Sequence, residues 1–203
     1  QRVHGASAAA RYGAVAVLVR SLTTAIDQYP HTGMLSYEQG AEKIPALAIS
    51  TADADMLSAR LKTEPGLKCF LRTDCKSLDP VLCYNVIGEL SGATYPNEII
   101  TVGGHLDAWY NTEGAHDDGA GCMHAIEVLQ LFKTLGIRPR HTIRVVLFMD
   151  EEISQTGGKK YAEEAAENKE RHVLALESDR GGFAPRGFGF SAPGPLMDTM
   201  LGW

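Results

Sequence analysis

Apolar positions along the chain fall into short continuous runs and into helically spaced sets, and their order predicts the fold. Glu98–Gly103 and Thr142–Met149 read as buried strands, and Ala14–Val19, Ile44–Ile49 and Val173–Glu177 as further strands. Leu67–Thr73 and Val81–Leu90 add two more, the latter ending in a turn at Ser91-Gly92. Helices are expected over the Ala-rich Ala6–Tyr12 and over Ala52–Leu61, where Met56, Leu57 and Leu61 sit at helical spacing and Ser50 or Thr51 supplies the cap. Two more are expected: Gly119–Leu135, with Ala120, Met123, Ile126 and Leu129 on one face and Gly136 and Pro139 beyond its end, and Gly158–Glu167. Ser21–Lys43, which contains Pro30, Gly33 and Gly40, reads as loops with short elements.

Strand–helix–strand alternation with near-continuous apolar strands predicts an α/β fold, a mostly parallel central sheet flanked by helices. The break near Gly66 divides the chain into units 1–64 and 65–203. With 44% hydrophobic and 22% charged residues over 203 positions, the composition is globular and excludes a disordered or fibrous chain. A net charge of −6 argues against nucleic acid as partner. Runs such as Ala14–Val19 and Val145–Met149 are far shorter than the ~20 residues of a membrane span. Cys69, Cys75, Cys83 and Cys122 form no C-x-x-C pair, so one disulfide among the first three and four reduced buried thiols both remain open. Gln1 is no initiator Met, and Pro195–Trp203 reads as a helix cut short, so the chain is expected to be a piece of a longer protein.

The acidic and imidazole residues fall at strand ends. Glu98–Gly103 runs into His105 and Asp107, Thr142–Met149 into Asp150-Glu151-Glu152, and Val173–Leu176 into Glu177-Ser178-Asp179; His116-Asp117-Asp118 precedes the helix at Gly119. Ligands of an open α/β sheet bind outside the carboxyl ends of the strands, so these groups are expected in one crevice. So many carboxylates need a compensating charge or raised pKa values. A His among them suits zinc, and the number of carboxylates suits two ions, which would polarise a carbonyl and activate water. One Glu of the Glu151-Glu152 pair is then free as general base. No G-x-S-x-G elbow, H-E-x-x-H helix or Walker loop competes.

Asn85-Val-Ile-Gly-Glu-Leu90, Gly104-His-Leu-Asp-Ala-Trp109, Gly114-Ala-His-Asp-Asp-Gly-Ala-Gly121, Met149-Asp-Glu-Glu152 and Glu177-Ser-Asp-Arg-Gly-Gly182 resemble, in order and spacing, the two-zinc peptidases that include glutamate carboxypeptidase and bacterial secreted aminopeptidases. The likeness is greatest to the plasma glutamate carboxypeptidase branch, and residues 1–64 resemble the protease-associated domain of such enzymes. The resemblance implies a zinc exopeptidase of short peptides, extracellular or periplasmic in the parent protein. It implies His105, Asp117, Glu152 and Asp179 as metal ligands, with Asp117 bridging, Glu151 as catalytic base and Asp107 orienting His105. The downstream His that such enzymes use at the second zinc has no counterpart, since His172 is the last His here. Asp118 suits a helix cap, His116 a flanking position and His124 a structural one, while Trp109 and Tyr110 suit a substrate pocket or core packing. The competing class is a non-catalytic relative, or an inactive fragment, acting as a binding module; the surviving ligand positions favour the enzyme.

Overall fold

The computed structural model describes residues 3–109 and 111–202. Its first part comprises α1 (Gly5–Ala10), β1 (Val17–Arg20), β2 (Ala46–Ile49) and α2 (Thr51–Thr63). β1 and β2 pair in parallel, Val17 opposite Ala46 and Arg20 opposite Ile49. Ser50 is the cap of α2: its hydroxyl oxygen accepts from the Asp53 amide at 3.0 Å and satisfies a donor that the first turn leaves open. The apolar set on α2 does not face a core, since Met56 and Leu61 are exposed.

The main sheet holds β3 (Val86–Leu90), β4 (Tyr95–His105), β5 (His141–Phe148) and β6 (Arg171–Glu177) in the order β3-β5-β4-β6. β4 pairs in parallel with β5 and with β6, and only β3 runs antiparallel, against β5. The sheet is therefore mostly parallel, as the apolar runs predict. Ile99-Ile-Thr-Val102 and Ile143–Leu147 favour strands through their β-branched side chains, and the central position of β4 and β5 buries them. Val146 has no exposed surface, and a fully buried aliphatic side chain of this kind contributes about 1.5–3 kcal/mol.

α3 (Ala120–Thr134) covers one face, with Cys122, Ala125 and Leu129 packed on Val102, Val145 and Leu147. The expected contact face differs: Met123 and Ile126 are exposed. Helical spacing alone admits both sets, and the close approach of the helix start to β4 selects the other. On the opposite face Arg144 of β5 joins β3, α4 (Thr156–Glu167) and the turn before β6. It donates to Glu89 at 2.7 Å, to Glu170 at 2.7 Å and to the Tyr161 hydroxyl on α4 at 3.2 Å. Burial works to lower the Arg144 pKa, but these bonds outweigh it and raise it. Glu170 also contacts His172 Nε2 at 3.1 Å, and His172 Nδ1 lies 2.8 Å from the Thr101 hydroxyl.

Two expectations fail between the units. Leu67–Thr73 is no strand, and Val81–Leu90 is one only from Val86, because residues 67–85 form no regular element and leave Phe70, Leu78, Val81 and Leu82 exposed without a pairing strand. All four cysteines are free, and only Cys122 is buried. α5 (Gly194–Leu201) closes the described chain, and no helix among the described residues is long and apolar enough to cross a membrane.

Candidate metal centre

β4 ends at His105, which is 1% exposed and stands at the C-terminal edge of the sheet opposite Phe148 of β5. Every polar atom of its backbone and ring is engaged. Its amide donates to Asp118 Oδ2 at 3.0 Å, its carbonyl accepts from the Cys122 thiol at 3.0 Å, and its Nδ1 lies 2.9 Å from the Asp107 carbonyl oxygen. A nitrogen facing a carbonyl carries the proton, so Nδ1 donates, and in the neutral ring Nε2 is the nitrogen that presents a lone pair. That lone pair faces Asp117 Oδ1 and Asp179 Oδ1, each 3.2 Å away, with Glu151 Oε2 at 4.0 Å.

The approach that builds this corner depends on missing side chains. A Cβ at Gly104 would lie 2.5 Å from Asp118 Oδ2 and 2.7 Å from the Cys122 amide, and one at Gly121 would lie 1.8 Å from the Ser178 carbonyl oxygen. Only glycines let the start of α3 sit this close to the ends of β4 and β6. Ala115–Gly119 forms a kinked turn before α3, with a cis peptide between Asp117 and Asp118. Asp117 turns its carboxylate to His105 Nε2, whereas Asp118, 1% exposed, accepts from the His105 and Gly121 amides, both at 3.0 Å. Burial, and the charge of Asp179, raise the Asp118 pKa against the lowering effect of those donors.

The Glu151-Glu152 corner is fixed by Asp107, whose Oδ1 accepts from the Glu151 amide at 3.0 Å and Oδ2 from the Glu152 amide at 3.2 Å. Asp107 therefore holds His105 through its main-chain carbonyl and the acidic corner through its carboxylate, which is 3.7 Å from Nδ1. Asp150 turns the chain there with φ 61°, and Asn85 fastens the same turn by accepting from the Met149 amide and donating to the Gly157 carbonyl at 3.0 and 2.9 Å. Glu152 Oε1 is buried with no hydrogen-bond partner among the described residues; burial first, then the charge of Asp117, raises its pKa. Glu177 is likewise raised by burial and by Asp179 and Glu151. For His105 burial acts downward, yet the Asp107 carbonyl and the charges of Asp118, Asp179 and Asp107 leave the pKa raised.

His105, Asp117 and Asp179 offer three donor atoms within 4.8 Å of one another. One imidazole and two carboxylates are a donor set for a divalent ion such as zinc, and the unpartnered buried Glu152 oxygen beside them is a further acceptor that a cation would satisfy. Of the expected residues, the structure thus brings together His105, Asp117, Asp179 and Glu151, with Asp107 and Glu152 immediately behind. His116 is turned away, its Nδ1 accepting from the Gly182 amide at 3.4 Å and its ring 5.2 Å from Phe183. His124 meets the Ser178 hydroxyl at 3.0 Å. Trp109 lines a cleft, and Tyr110 lies outside the described residues. The bond of Asp118 to the His105 amide and the roles of Cys122 and Asn85 escape sequence reasoning. The doubled Asp of His116-Asp-Asp118 is the one signal that a second carboxylate has a task there.

A mostly parallel α/β sheet that gathers an imidazole and several carboxylates at its strand ends defines the class of α/β proteins with a candidate divalent-metal site at the sheet's carboxyl edge. The chain belongs to peptidase family M28, whose sequence profile matches residues 85–200. It is 37% identical over 190 residues to bovine carboxypeptidase Q, covering 94% of this chain and 40% of that protein. The crystal structure of a peptidase M28 precursor from Shewanella amazonensis superposes with a TM-score of 0.76 at 40% identity, covering 87% of this chain and 40% of that one. BSAP, a zinc aminopeptidase from Bacillus subtilis, shares the fold with a TM-score of 0.54 at 23% identity, covering 86% of this chain and 40% of its own. The chain spans about two fifths of the length of these relatives.

Proposed function

We propose that this chain carries the metal-binding face of a zinc-dependent exopeptidase acting on short peptides, with residues 1–64 as part of a protease-associated domain, in a protein that works outside the cytoplasm. The observation that carries the reading is the convergence of Asp117, Asp179 and Glu151 on the bare Nε2 of buried His105. His105 and Asp179 would hold one zinc, Glu152 a second, and Asp117 both. When bound, the metal pair supplies Lewis acidity toward the scissile carbonyl and lowers the pKa of water. Glu151, held by its own amide on Asp107, accepts the proton of the attacking water and hands it to the leaving amine. Asp107 keeps His105 in the tautomer whose Nε2 is free and keeps Glu151 aimed at the same point. Buried Asp118 anchors the His105 main chain, so the imidazole does not move as charge develops.

The test is chelation. A strong zinc chelator should abolish hydrolysis of dipeptides by the parent protein, and added zinc should restore it. Undiminished turnover in the chelator refutes the proposal.

A further inference from the structure

The loop that leaves the metal centre after Asp107 does not return directly to Asp117. Ala108 and Gly114 close its neck: a Cβ at Gly114, where φ is 65°, would meet Ala108 Cβ at 2.7 Å. The tip between them folds on itself, with the Thr112 amide and hydroxyl both donating to the Trp109 carbonyl at 2.8 and 3.1 Å. An excursion this short keeps Trp109 and Asn111 within roughly 10 Å of the neck, a residue away from Asp107.

Trp109 and Asn111 form one wall of a cleft of about 340 Å³, whose other walls are His31, Met34 and Leu35 of the segment between β1 and β2 and Ala46 and Ala48 of β2. A second cleft of about 490 Å³ shares Trp109 and Asn111 and reaches Thr112. Such volumes match a small ligand or one part of a larger one. No Asp, Glu, Lys or Arg lines either cleft among the described residues, and the imidazole of His31 is shared by both. A charged group entering there would lose hydration with no carboxylate, ammonium or guanidinium to pair with and one imidazole at most, whereas an apolar one would gain from leaving water.

We propose that this cleft is a specificity subsite that receives the aliphatic or thioether side chain of a peptide substrate, one or two residues from the bond cleaved. The inference rests on the peptidase reading for its substrate. It assigns residues 30–35 and β2 a part in recognition, and makes the first unit a wall of the substrate site. Asn111 faces the same space with an amide able to pair with a peptide group, which suits a ligand whose side chain is apolar and whose backbone is not.

The chain has two tryptophans, so Trp203→Phe leaves Trp109 as the sole reporter. With the metal-free chain carrying that substitution, N-acetyl-leucinamide should change Trp109 emission saturably, and the corresponding aspartic acid amide should bind at least tenfold more weakly. Met34 is 46% exposed, so its replacement is compatible with folding. Met34→Lys should weaken the leucine probe at least fivefold and tighten the aspartate probe, and the milder Met34→Gln should weaken leucine only. Equal affinity for the two probes, absence of an emission change, or indifference of both Met34 variants overturns the proposal. Zinc analysis of the same preparation reports on the peptidase reading alone, so the two can fail separately.

Discussion

Asp118→Ala is the most informative substitution outside the metal-facing groups. The carboxylate is 1% exposed and accepts two backbone amides, from His105 and Gly121, both at 3.0 Å. Alanine leaves both donors buried and unpaired, at about 1–3 kcal/mol each, or about 2–6 kcal/mol together. Part is offset, because burial and Asp179 already oppose the charge on Asp118, as its raised pKa records. We therefore expect about 2–4 kcal/mol of lost stability. At about 2–4 °C per kcal/mol for a chain of this size, the melting midpoint should fall by about 4–16 °C. Asp118→Asn keeps one acceptor and should lose about half as much. Urea unfolding monitored by circular dichroism supplies the free energies, and zinc titration should show weaker binding in both variants, because the His105 main chain loses its anchor. An alanine variant within about 0.5 kcal/mol of the parent would refute the argument, and with it the claim that Asp118 ties β4 to α3.

Glu151→Gln removes the proton acceptor without changing shape, so turnover of the parent enzyme should fall by roughly 10²–10⁴-fold with near-normal zinc content, while Glu152→Gln should lose metal together with activity; metal analysis beside kinetics separates them. Residues 180–203 contain no His, so the isolated chain should retain at most one zinc after dialysis and hydrolyse peptides poorly; two retained zincs with robust activity would show that another residue completes the second site. The hydrogen bond from Arg144 holds the Glu170 pKa below the ordinary glutamate value, against burial and with help from His172. A lowered folded pKa stabilises above the unfolded value of about 4.3, and that contribution is lost as the pH falls through the folded value. Acid unfolding of Glu170→Gln should accordingly be less steep than that of the parent below that pH, and coincident profiles would contradict the assignment.

The sheet and its chemistry were legible from the chain because they rest on local patterns. β-branched runs specify β4 and β5 wherever they pack, and each strand ends at or just before a group gathered at the candidate metal centre: His105 closes β4, Glu151 comes three residues after β5 and Asp179 two after β6. Parallel pairing then brings the strand ends to one edge, a consequence of topology that alternation already implies. Leu67–Thr73 and the start of Val81–Leu90 were misread because their apolar positions fit a strand, but strand formation needs a partner, and none lies beside them among the described residues.

Other features depended on contacts between distant segments. Helical periodicity admits either the Met123 and Ile126 face or the Cys122 and Ala125 face of α3. The choice falls to the second because Gly104 and Gly121 allow the helix start to press on β4, where Cys122 reaches the His105 carbonyl. Two adjacent aspartates look alike in a sequence, yet one faces the open Nε2 of His105 and the other is buried on its amide. Asp107 was expected to orient His105 through its carboxylate, whereas its main-chain carbonyl meets Nδ1 and its carboxylate holds the Glu151-Glu152 corner, 44 residues further along. Local spacing determines which elements form and which groups end them; which of two equivalent atoms or faces turns inward is decided only when non-local hydrogen bonds must be satisfied together, and that requires the folded chain.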